Sequence, residues 1–227
     1  MERQRKIASL SGSRQRKNKL LGLLRENNFK QIQAWAGQDT MLLRPASGLL
    51  FHGTALICWR AVKALGIIAA EVGPPDPERI RLLIRQQLWH MNDESGNVGW
   101  FAPQAVAELC VSVPELIEEY SHRLVSFFDE EPFEIGAHWG VARIAEHRPD
   151  VYTPFKSHIV RSLRSPEPAI RYYALKALSL VDDKAAREVA PDMINDETAV
   201  QIFDIERGAF STTTVAELAT QVLQNPQ

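Results

Sequence analysis

Residues 89–100 read Trp-His-Met-Asn-Asp-Glu-Ser-Gly-Asn-Val-Gly-Trp, the densest group of chemically capable side chains in the chain. Asp93, Glu94, Ser95 and Asn97 offer oxygen ligands, Gly96 and Gly99 offer hinges, and Trp89, His90 and Trp100 flank them. Such a segment can hold a cation or a basic group of a partner. It also has a purely structural use, in which Asp93, Ser95 or Asn97 caps the next helix, the glycines make the turn and both tryptophans are core. The spacing is not that of an EF-hand, which alternates ligands and closes on a glutamate at position twelve. Farther on, Glu134 and His138 stand four apart, hence on one helical face, a geometry that can chelate a metal or simply form a solvated pair.

Other chemistry has no support. The chain holds no Gly-x-Ser-x-Gly, no P-loop and no Rossmann glycine pattern, so no catalytic residue is assigned. Cys58 and Cys110 form no CxxC pair and sit in apolar stretches, where cysteine behaves as a small core residue; neither a zinc site nor a disulfide framework is expected. Arg79, Arg81, Arg85, Arg123, Lys156, Arg161 and Arg164 suggest a basic stripe, but Glu115, Glu118, Glu119, Asp129, Glu130 and Glu131 share the same segments. A mixed-sign face is expected, and nucleic acid is not the favoured partner.

The elements that position these residues are set by a repeat. Ala-x-x-Ala pairs occur at Ala61/Ala64, Ala102/Ala105, Ala142/Ala145, Ala174/Ala177 and Ala216/Ala219, at intervals of 41, 40, 32 and 42 residues. Trp59, Trp100, Trp139 and Tyr172 precede four of them. Small residues three apart lie on one helical face and let a neighbouring helix approach closely. Each copy is followed by an amphipathic segment: 78–91, 114–129, 154–163 and 184–194, the last expected to kink or stop at Pro191. In repeat register Glu94 and Glu134 both stand eight residues before an alanine, with His52 near the same band, so His90, Asp93, Glu94, Glu134 and His138 are expected to align on adjacent layers.

Paired helices at this period resemble the HEAT-like repeats of the phycobilisome-lyase type, an armadillo-like α-solenoid family. Ser165-Pro166-Glu167-Pro168-Ala169-Ile170-Arg171-Tyr172-Tyr173-Ala174-Leu175-Lys176-Ala177-Leu178 carries the resemblance best, followed by Trp59-Arg60-Ala61-Val62-Lys63-Ala64-Leu65-Gly66. Pro103, one residue after Ala102, departs from the pattern. The acidic NDESG loop is also similar to a small uncharacterised bacterial HEAT-repeat family, to which no activity is attached. Some HEAT-like hydroxylases bind two irons through His-Glu dipeptides; this chain has only the reverse, Glu146-His147, so the resemblance implies no di-iron site.

The expected fold is therefore all-α: a right-handed α-α superhelix of HEAT-like pairs over 18–195, with a C-terminal β-hairpin and helix over 196–227 packed on the last repeat. Residues 18–36 read as a helix pair broken at Asn27-Asn28. Strands are expected at 198–203 and 209–213, and a helix at 215–223 capped by one of Thr212 to Thr214. Residues 1–19 carry seven basic side chains against Glu2 alone, and 1–17 read as a solvated tail or frayed helix rather than an organellar presequence. At 227 residues and 45% hydrophobic, the chain can bury a large core, and no apolar run is long enough to span a bilayer. A cytoplasmic protein-binding or scaffold module without cofactor or metal is the expectation. The alternative is an enzyme or enzyme accessory on the same scaffold, a nucleic-acid-base enzyme or a chromophore-lyase relative.

Overall fold

The computed structural model describes the backbone of residues 2–92 and 99–224, with side chains from residue 12 onward. Helices dominate, with one two-stranded antiparallel sheet. The first part holds α1 (Glu2–Arg25), α2 (Phe29–Ala36), α3 (Leu43–Ser47), α4 (Ala55–Val72) and α5 (Pro77–Asn92). The middle holds α6 (Ala102–Ser112), α7 (Ile117–Val125), α8 (Glu134–Ala145), α9 (Lys156–Ser162), α10 (Pro168–Val181) and α11 (Asp183–Val189). The chain then forms β1 (Ala199–Asp204), β2 (Ala209–Thr214) and α12 (Val215–Gln224).

The alanine-bearing helices make a continuous row, α4 on α6, α6 on α8 and α8 on α10, with α12 against α10. Ala61, Ala64, Ala102, Ala105, Ala142, Ala145, Ala174, Ala177 and Ala219 are buried, as their spacing predicts, whereas Ala216 is half-buried. α6 and α8 approach closely at Gly140, where an added Cβ would fall 3.1 Å from Ala107 Cβ and 3.3 Å from the Pro103 carbonyl oxygen. The intervening helices pack on this row with a shifted partner: α5 runs against α6 and α9 against α10, while α7 touches both α6 and α8. One apolar core runs from Leu20 to Val222.

The segment ends follow local chemistry. Asn27 closes α1 with φ 56°, a left-handed conformation asparagine tolerates, and Asn28 Oδ1 accepts from the Gln31 amide to start α2. Pro191 ends α11 early, leaving a 3-10 turn over Ala190–Met193. Thr214 Oγ1 accepts the Glu217 amide at 3.0 Å and caps α12. α1 runs unbroken across residue 17, and its basic side chains are in part engaged: Arg16 pairs with Asp39 at 2.7 Å, Lys17 donates to the Gly48 carbonyl and Lys19 lies over the Trp35 ring.

The hairpin pairs Ala199 with Thr214 through Asp204 with Ala209. It touches α10 and α12 as expected, and its tip also returns to the first helices. Arg60 Nε donates to the Gly208 carbonyl (2.8 Å), Lys63 Nζ to that of Glu206 (2.7 Å) and Asn27 Nδ2 to that of Arg207 (2.9 Å). Gly208 adopts φ 63° and sits so close to Asn27 and Phe29 that a side chain has no room.

Candidate functional site

α5 turns Ile80, Leu83, Ile84, Gln87 and Met91 inward. Its other face carries Leu82, Gln86 and Trp89, at i, i+4 and i+7. Across from it, the turn before α3 and the segment after it present Met41 and Phe51. Met41, Phe51, Leu82 and Trp89 are 43% to 61% exposed, a cluster of large apolar side chains that the core does not absorb. A groove of about 590 Å³ separates the two sides, lined by Met41, Arg44, Phe51, Arg79, Leu82 and His90 among others. Arg79 Nη2 donates to the Thr40 carbonyl at 2.7 Å and so ties α5 to the chain before α3. His90 joins the two aromatic residues, its ring meeting Phe51 edge-on at 5.4 Å and Trp89 at 5.2 Å. His90 is buried, and its Nδ1, like Gln87 Oε1, has no hydrogen-bond partner among the described residues.

Trp89 and Trp100 are thus surface residues, Trp100 at 64% exposure, so the reading that places both in the core is corrected. Met91 of α5 and Ala102 of α6 pack instead with Phe133, just before α8, backed by Leu88. Asp93 and Glu94, with the rest of 93–98, lie outside the described residues.

The expected band across adjacent layers is not formed by the histidines. His138 is 2% exposed, and its ring stacks on Phe128 at 3.7 Å between centroids. Nδ1 lies 2.7 Å from the Glu134 carbonyl and Nε2 2.7 Å from Ser162 Oγ, so both ring nitrogens are engaged inside the protein. Burial pushes its pKa down to about 4, leaving a neutral ring at pH 7. His138 therefore belongs to the core beside α9, whereas His90 belongs to the α3–α5 surface. Glu134 is half-buried, and its Oε2 has no partner among the described residues. Among these residues no group of three or more His, Cys, Asp or Glu is placed to hold a metal.

Several arginines of the suspected basic stripe are neutralised, Arg81 by Glu119, Arg85 by Glu78 and Arg161 by Asp129. Both cysteines are buried and unpaired, and burial raises both thiol pKa values, so neither is a nucleophile at neutral pH.

A second constellation was not anticipated from the sequence. Beneath the hairpin, Trp59 stacks on Phe203 at 5.1 Å and meets Trp139 edge-on at 5.1 Å and Phe101 at 5.7 Å. Beside these rings a cavity of about 340 Å³ opens between the hairpin and α8 and α10. Arg143 on its wall binds Glu108 (2.9 Å) and Glu146 (2.8 Å), and Lys176 also pairs with Glu146. Burial alone would lower the Arg143 pKa, but Glu108 and Glu146 outweigh it and raise it. Burial likewise opposes ionisation of Glu146, yet Lys176 and Arg143 hold its pKa below the usual range. Both shifts favour the charged forms, the reverse of the tuning that proton transfer at neutral pH requires. The signal in the sequence is Glu108, one carboxylate in the otherwise apolar run Ala105–Cys110; a buried acid needs a cation, and Arg143 supplies it.

No helix among the described residues is long and apolar enough to cross a membrane. No family model matches the chain. It is similar to an uncharacterised protein of Archaeoglobus fulgidus, 27% identical over 157 residues that cover 68% of this chain and 82% of that one.

Proposed function

We propose that the chain is a HEAT-like, armadillo-type α-solenoid, its helix pairs turning in a right-handed superhelix, and that it works as a binding or scaffold module for a protein partner in the cytoplasm. The buried alanine row and the regular succession of helices support the repeat architecture. Two free buried cysteines accord with a reducing compartment. The observation that carries the binding role is the exposed cluster of Met41, Phe51, Leu82 and Trp89: contiguous large apolar groups left in water mark interaction surfaces.

Affinity capture from extracts of the source cell tests this, comparing the wild-type chain with a Phe51→Ser, Leu82→Glu double variant and identifying bound proteins by mass spectrometry. Both positions are exposed, so the variant is expected to keep its helical circular dichroism. Proteins held by the wild type and lost by the variant support the role. An identical set from both contradicts it.

The alternative, an enzyme or enzyme accessory on this scaffold, draws on the cavity beneath the hairpin, where Arg143, Glu146 and Lys176 converge. A Lys176→Met variant that bound partners normally but abolished an activity of the captured complex would favour it.

A further inference from the structure

We infer that the groove between α3 and α5 receives an amphipathic helix from the partner, its apolar face on Met41, Phe51 and Leu82 and an acidic flank beside Arg44 and Arg79. This rests on the binding role proposed above and specifies the partner's chemistry.

The groove walls are helices and turns. Backbone groups inside a helix are already paired along it, so they give an incoming strand no ladder to join. An extended segment laid on Met41, Phe51 and Leu82 would bury its own amides and carbonyls without partners, which is costly. A helix satisfies its own backbone and presents only side chains, so a helix is the element this surface accepts.

Charge selects among helices. Among the described residues no aspartate or glutamate lines the groove, whereas Arg44 and Arg79 do. Neither arginine forms an ion pair with a described carboxylate, and Arg79 spends a donor on a main-chain carbonyl instead. Acidic side chains flanking the apolar stripe of an incoming helix would meet two guanidinium groups, and lysines there would be repelled. The same argument disfavours a second copy of this chain on a two-fold axis, because such a contact is self-complementary and would bring the arginines of both copies together.

Phage panning with a helical peptide library tests the assignment. The library carries fixed leucines at i, i+3, i+4 and i+7 and randomised flanks, and it is panned on the wild type, on Leu82→Glu and on an Arg44→Glu, Arg79→Glu double variant. Enrichment of acidic flanks on the wild type, reduced at least roughly tenfold by Leu82→Glu and switched to basic flanks by the double reversal, is the expected result. Enrichment unaffected by Leu82→Glu would overturn the groove and leave the binding role standing. Neutral or basic flanks on the wild type, or no enrichment, would overturn the partner's chemistry. Sedimentation velocity of the chain alone, showing a dimer that Leu82→Glu dissolves, would instead assign the groove to a second copy.

Discussion

His138 shows why a face argument fails for a residue in a crowded helix. From Gly136 to Ala142 every residue of α8 is buried, so a solvated face for the i, i+4 pair Glu134/His138 ends after the first turn and His138 points inward. The ring is neutral because desolvation outweighs the Glu134 carbonyl, and this has a consequence for stability. Unfolded, the imidazole titrates near 6.5; folded, at about 4. Between these values the unfolded chain holds a proton that the folded chain lacks, so stability is full above about pH 6.5 and falls as pH drops toward about 4. The loss amounts to about 3 kcal/mol from this group. In chemical denaturation from pH 7 to 4.5, His138→Gln is expected to be less stable at pH 7 yet to lose less on acidification than the wild type. Parallel pH profiles would show that the ring is not held neutral. Trp89 and His90, by contrast, stand near the end of α5 just before the sequence Asn92-Asp93-Glu94, a departure from the alanine spacing that placed them in the expected binding surface.

At the scale of elements, long segments with a clear apolar or β-branched pattern were readable, and short elements and long-range contacts were not. Alanines three apart at regular intervals located α4, α6, α8, α10 and α12. Replacing Ala102 or Ala142 with leucine forces extra methylenes into a close helix contact and is expected to destabilise by about 1–3 kcal/mol in urea denaturation. α3, five residues with Pro45 inside, and the 3-10 turn over Pro149–Phe155 escaped, being too short for apolar periodicity to show. The β-branched run made the hairpin visible, but not its reach: Arg60 and Gly208 are 148 positions apart, and no local pattern joins them. Gly208→Ala should cost at least about 1–2 kcal/mol from the left-handed backbone alone. Its methyl group would also strike Asn27 and Phe29, so faster amide exchange at residues 205–209 is expected with the helical core intact. Unchanged exchange at the tip would mean that it is not docked on α2 and α4.

For the whole molecule, the decisive arrangement is the asymmetry between two surfaces. The face of α4 and α8 that carries Trp59 and Trp139 is occupied by the chain's own hairpin, through Phe203 and the Arg60, Lys63 and Asn27 contacts. The α3–α5 end keeps its large apolar side chains in water. Composition and alanine spacing could suggest a binding module but not this division, which depends on where the C-terminal hairpin lands after α11. Hydrogen–deuterium exchange on the complex with a captured partner tests it most directly. Slowed exchange over residues 40–51 and 77–92, with residues 199–214 unchanged, is the predicted footprint. Protection confined to the hairpin and the helices beneath it, with 40–51 and 77–92 exchanging as in the free chain, would contradict the account.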